Sequence, residues 1–91
     1  MSKNQPTETQ HANIWGTIDA IAKANNMSIS KLAVASGMDS TSFNKSKRAT
    51  KYKLRMPTVE TLLSIMNACN MDWFQWAEIF SQVSRTKKGR K

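Results

Sequence analysis

Apolar side chains return along this chain at helical intervals, in blocks separated by turn-forming residues. Ile14, Trp15, Ile18, Ile21 and Ala22 recur at i, i+1, i+4, i+7 and i+8, the stripe of one helix face over about 13–25. Asn25-Asn26 closes that helix, because Asn tolerates the left-handed backbone of a helix terminus. Ser28 is the N-cap of a short second helix carrying Leu32, Ala33 and Ala35, and Gly37 supplies the positive φ after it. Asp39 caps a predicted third helix, Ser40 to about Lys47, anchored by Phe43 and otherwise nearly all polar or cationic. A helix so polar in so small a protein must lie exposed on most of its circumference. Residues 49–57 read as a loop closed by Pro57. Thr58 caps a fourth helix with Val59, Leu62, Leu63, Ile65, Met66 and Cys69, which Asn70 ends. Asp72 caps a fifth, with Trp73, Phe74, Trp76, Ala77, Ile79, Phe80 and Val83. No alternating β-branched stretch and no Asn-Gly or Asp-Gly hairpin signal occurs. The pattern predicts an all-α fold of five short helices without internal repeats.

Residues 1–12 are polar, contain Pro6 and lack periodicity, and read as a disordered arm. The folded part is expected over 13–84, with a basic tail over 85–91. At 91 residues there is room for one domain. A single cysteine, Cys69, excludes a disulfide framework, and His11 with one distant Cys makes no metal site. No metal and no cofactor are expected. Neither a membrane-spanning run nor a signal-peptide core is present, so a soluble cytoplasmic protein is the expectation.

Charge sharpens the picture. Fourteen Lys and Arg against six Asp and Glu give a formal net charge of +8. No acid lies between Asp39 and Glu60, while Lys45, Lys47, Arg48, Lys51, Lys53 and Arg55 crowd the stretch 45–55. Such a block, inside the folded part rather than on a tail, defines a directed surface for a polyanion. It sits beside Gly37, Pro57 and loop residues rather than along one long helix, which disfavours a membrane binder. An enzyme fails on inventory: the chain offers no plausible nucleophile–base pair, no carboxylate pair at active-site spacing and no phosphate-cradling glycine loop. No small-molecule substrate is expected.

Ser28 to Arg48 reads as short helix, turn around Gly37, short polar helix. A Gly-containing turn of this length sets two helices at ~90–120°, the helix-turn-helix geometry. The string MSISKLAVASGMDSTSFNKSKR, followed by RMPTVETLLSIM, resembles the lambda-repressor-like (Cro/repressor, XRE-type) helix-turn-helix family. It looks especially like the DNA-binding heads of phage-type repressors that elsewhere continue into a self-cleaving peptidase domain, for which 91 residues leave no space. The resemblance spans about Ile14 to Trp76. It implies a sequence-specific double-stranded DNA-binding regulator, a repressor of phage or mobile-element type, whose third helix (Ser40–Lys47) enters the major groove. Two features depart from the family. Ile29 stands where a phosphate-holding Gln is frequent, and the loop after the third helix is longer, carrying Lys51, Tyr52, Lys53 and Arg55.

Helical geometry puts Ser40, Thr41, Asn44 and Lys45 on the outward face as base-contacting residues. Asn pairs bidentately with adenine and Lys with guanine, whereas Ser and Thr discriminate less. Ser42, Lys47, Arg48, Lys51, Lys53 and Arg55 suit phosphates, as do Ser28 and Ser30 at the start of the second helix. Asp39 reads as a cap, His11 as inert, and Cys69 as a buried small hydrophobe. Trp73, Trp76, Ala77 and Phe80 form one core-facing stripe on the fifth helix. Phe74, with Ile79 or Val83, spills off it: either all of this is core, or Phe74, Ile79 and Val83 form the interface of a twofold homodimer. Such a dimer sets two reading elements roughly 34 Å apart. The tail from Arg85 to Lys91 either follows a phosphate strand or is a solubilising end. With no effector domain, regulation would come from concentration, dimerisation or a partner. The rival reading is a protein-interaction module, such as an antitoxin or adaptor, that keeps a helix-turn-helix shape.

Overall fold

Three helices of this protein end in the same short device. A computed structural model describes residues 7–51 and 53–89, with 86–89 as helix backbone only. Its α-helices are α1 (Glu8–Ala24), α2 (Ile29–Ala35), α3 (Val59–Ala68) and α4 (Trp73–Gly89). α1, α2 and α3 each end on a residue at positive φ: Asn26 (58°), Gly37 (83°) and Asn70 (58°). In every case the next residue is a methionine whose N–H returns to a carbonyl of the last turn. Met27 bonds Ala22 at 2.8 Å, Met38 bonds Ala33 at 2.9 Å, and Met71 bonds Met66 at 2.8 Å. This is the Schellman arrangement, and its usual apolar contact is present, since all three methionines pack on the core. Met27 then leads to Ser28, the cap of α2, and Met71 to Asp72, which exchanges hydrogen bonds with Gln75 at 3.0 and 3.1 Å to open α4.

The core joins Trp15, Ile18, Ile21 and Ala22 of α1 to Leu32 and Ala33 of α2, Phe43, Ile65 and Met66 of α3, and Trp76 of α4. α1 packs chiefly along α4, with α2 against α1 and α3. The described part is thus all-helical apart from one isolated bridge, Ala49 with Leu54.

Two expectations are corrected. Residues 7–12 are not a disordered arm: Thr7 and Gln10 form a capping box, so α1 starts at Glu8, about one and a half turns before its apolar stripe. Residues 1–6 lie outside the described part. The third helix, Ser40–Lys47, does not form, which leaves four α-helices rather than five. Ser42 bonds Asp39 and Asn44 bonds Thr41, both three residues back, after which Asn44 turns extended (ψ 148°). A single 3₁₀ turn, Lys45–Lys47, follows. The cause lies in Ser40, Thr41 and Ser42, whose short polar side chains favour local turns over helix, and in Arg48. Its Nε and Nη2 donate to the Phe43 carbonyl at 3.1 and 2.8 Å, taking the acceptor that Lys47 N–H would use in an α-helix. Burial of Phe43, at 2% exposure, still holds the segment to the core. At about 2 kcal/mol for such a side chain, it outweighs the ~1 kcal/mol net of a lost helical bond.

Candidate nucleic-acid interface

The basic stretch does not hang free; α1 grips it. His11, Trp15 and Asp19 stand four residues apart on α1, so they form one stripe. His11 Nε2 lies 2.7 Å from the Arg48 carbonyl oxygen. The Trp15 indole N–H donates to the Arg55 carbonyl at 2.9 Å. Asp19 accepts from both guanidinium ends of Arg48, at 3.0 and 2.7 Å, and the same guanidinium carbon sits 4.7 Å from the centre of a Trp15 ring. Arg55 N–H closes the far side by donating to the Arg48 carbonyl at 2.9 Å. Residues 48 and 55 are therefore tied to each other and to α1. Between them Thr50 and Lys53 make a tight reversal: Thr50 N–H donates to Lys53 O at 2.8 Å, and Lys53 N–H to Thr50 Oγ1 at 3.0 Å. Tyr52 lies outside the described residues.

This grip divides the basic residues. Arg48 was expected on a phosphate; it is buried, with its donors directed to Asp19 and Phe43, and leaves the contact set. Lys45, Lys47, Lys51, Lys53 and Arg55 are exposed. So are Ser28 and Ser30 at the start of α2, where Ser28 Oγ accepts from Lys31 N–H at 3.1 Å. Among the expected base readers, Ser40, Thr41 and Lys45 are exposed and Asn44 is half-buried. The face they were to share is absent, because a turn and a 3₁₀ turn replace the helix. Thr41 is also engaged: its hydroxyl donates to Asp39 Oδ2 at 3.4 Å and accepts from Lys47 Nζ at 3.2 Å. Asp39 thus braces a turn instead of capping a helix.

The expected dimer surface changes too. Trp76, Ile79, Phe80 and Val83 follow i, i+3, i+4 and i+7, and this stripe, one notch from the predicted one, turns inward. Ile79 packs on the core, and Val83 meets α1 so closely that a Cβ built on Gly16 would come 2.9 Å from its Cγ1. Ile79 and Val83 therefore belong to the monomer, while Phe74 is 85% exposed, with Trp73 beside it at 47%. Arg85 is exposed; the side chains of Lys87 and Lys88, and all of Arg90 and Lys91, lie outside the described residues.

Sequence reading missed the clamp. His11 was assigned to the arm and Asp19 given no role, although the i, i+4, i+8 spacing with Trp15 was legible. Cys69 is half-buried, and burial pushes its thiol above the usual range, which keeps it protonated. Among the described residues no three His, Cys, Asp or Glu side chains are grouped to hold a metal, and no helix is long and apolar enough to cross a membrane. Comparison with protein families, curated proteins and solved structures gave no match.

Proposed function

We propose that this chain is a double-stranded DNA-binding transcriptional regulator of repressor type, contacting the duplex through residues 40–55. One observation carries the reading. Lys45, Lys47, Lys51, Lys53 and Arg55 are exposed on a single clamped segment that holds no acid between Asp39 and Glu60. A backbone tied down at Arg48 and Arg55 suits duplex phosphates better than a loose tail does, because less ordering cost remains at binding. Ser40, Asn44 and Lys45 sit at the corner where the segment turns, and they are the residues offered to base edges. Lys47, Lys51, Lys53 and Arg55 position the protein on phosphates, with Ser28, Ser30 and Ser42 beside them. A cytoplasmic repressor acting by promoter occlusion, as a homodimer joined through the Phe74 edge of α4, fits this arrangement.

The test is in vitro selection of bound duplexes followed by salt titration of the winner. A selected consensus is expected, with affinity falling by about 10³–10⁵ between 50 and 200 mM salt if ~6–10 phosphates are contacted. Equal, weak binding to random duplex would defeat the reading. It would favour the alternative of a protein-interaction module such as an antitoxin or adaptor, for which the bare Phe74 ring and the missing third helix speak.

A further inference from the structure

Beside the clamp lies a groove of about 280 Å³ whose apolar part none of these roles uses. Half-buried Met38, Met56 and Pro57 give it apolar walls, with Trp15 and Phe43 almost wholly buried beneath them. Ser42, Thr58 and Thr61 add hydroxyls, and Lys47 and Arg55 stand as its cations. No carboxylate lines it. A flat apolar body and an anionic group are what such walls accommodate together, and the Arg55 fork matches a phosphate or carboxylate edge. The volume falls just below the ~300–1,000 Å³ typical of small-ligand sites, room for no more than one ring system and its anion.

We infer that this groove binds a small aromatic phosphate of nucleoside-monophosphate type, and that its occupancy weakens DNA binding. The regulatory half rests on the proposed function, since Lys47 and Arg55 serve both partners. A ligand that neutralises them removes two phosphate contacts from the duplex. Regulation by a small ligand thus adds to the control by concentration, dimerisation or partner that the sequence suggested.

The probe is adenosine 5′-monophosphate, titrated into the full chain with adenosine and inorganic phosphate run separately, and read by amide and indole N–H chemical shifts. Saturable shifts at Ser42, Lys47, Arg55, Thr58, Thr61 and the Trp15 indole are expected, with a midpoint at or below about 1 mM. Arg55→Gln should weaken the midpoint by about tenfold, the loss of one charge-assisted contact. Absence of saturation overturns the site, and so does inorganic phosphate matching the nucleotide, because the apolar walls would then contribute nothing. Duplex affinity is measured first without nucleotide. Intact duplex binding with no nucleotide binding defeats this inference alone, whereas nucleotide binding by a chain that ignores duplex DNA defeats the proposed function alone. If both bind and nucleotide leaves duplex affinity unchanged, the regulatory half is overturned.

Discussion

Arg48 is held by Asp19 through two parallel hydrogen bonds, at 3.0 and 2.7 Å, across 29 residues of sequence. The pair is lopsided: the Arg48 side chain is 9% exposed and that of Asp19 41%. Removing the acid therefore strands a buried cation that water reaches only partly, while removing the cation leaves an acid that water can solvate. Asp19→Asn should cost about 1–3 kcal/mol. Arg48→Ala leaves Asp19 to water but strips the Phe43 carbonyl of its donors and Trp15 of its cation, and should likewise cost about 1–3 kcal/mol. Urea denaturation of each variant measures both; an Asp19→Asn protein as stable as the parent would mean the clamp holds nothing.

Gly16 is where α1 and α4 come closest. Ala at this position gains roughly 1 kcal/mol in helix propensity, yet its methyl meets Val83 Cγ1 at 2.9 Å. Overpacking of this kind costs ~1–3 kcal/mol, so Gly16→Ala should be neutral to destabilising by up to about 2 kcal/mol. The sharper measure is the double-mutant cycle with Val83→Ala. Relief of the clash should make the pair more stable than the sum of the single changes by at least about 0.5 kcal/mol. An additive cycle would show that the helices simply move apart.

The roles proposed for the basic segment can be separated by DNA-binding measurements. Lys53→Ala should weaken all duplexes alike and lower the salt slope by about 1. Asn44→Ala and Lys45→Ala should relax the selected consensus at one or two positions, by ~1–3 kcal/mol each. A consensus unchanged by either would remove both from the reading face. Arg48→Lys should act differently again, lowering stability through the lost bidentate geometry.

The proposed self-association would use Phe74 without Ile79 and Val83, which the structure packs inside the monomer. Phe74→Ser should leave the unfolding free energy within about 0.5 kcal/mol, because the ring is almost fully exposed. It should also abolish any dimer seen by sedimentation. Val83→Ala should do the reverse, destabilising the monomer. A Phe74→Ser protein that dimerises as the parent does would place the contact elsewhere.

The helices were legible wherever apolar spacing and a terminator agreed. Thr58, Asn70 and Gly37 punctuate the chain as read, since capping and positive φ are decided by one or two residues. The stretch Ser40–Lys47 misled because its acid, hydroxyls and cations look like a capped polar helix. What decides its shape is distant: Arg48 reaches the Phe43 carbonyl while Asp19, on another helix, fixes the guanidinium. Charge alone could not separate Arg48 from its neighbours Lys47 and Lys51. On α4 two stripes of similar apolarity competed, and only packing against α1 at Gly16 selects the one with Val83.

The repeated corner carries a chemical liability. Met27, Met38 and Met71 each place a half-buried side chain where a helix ends. Peroxide would convert all three to sulfoxides, setting a polar, chiral S=O against the interior at every bend. One mild oxidant would loosen three joints together, and reductase repair would restore them.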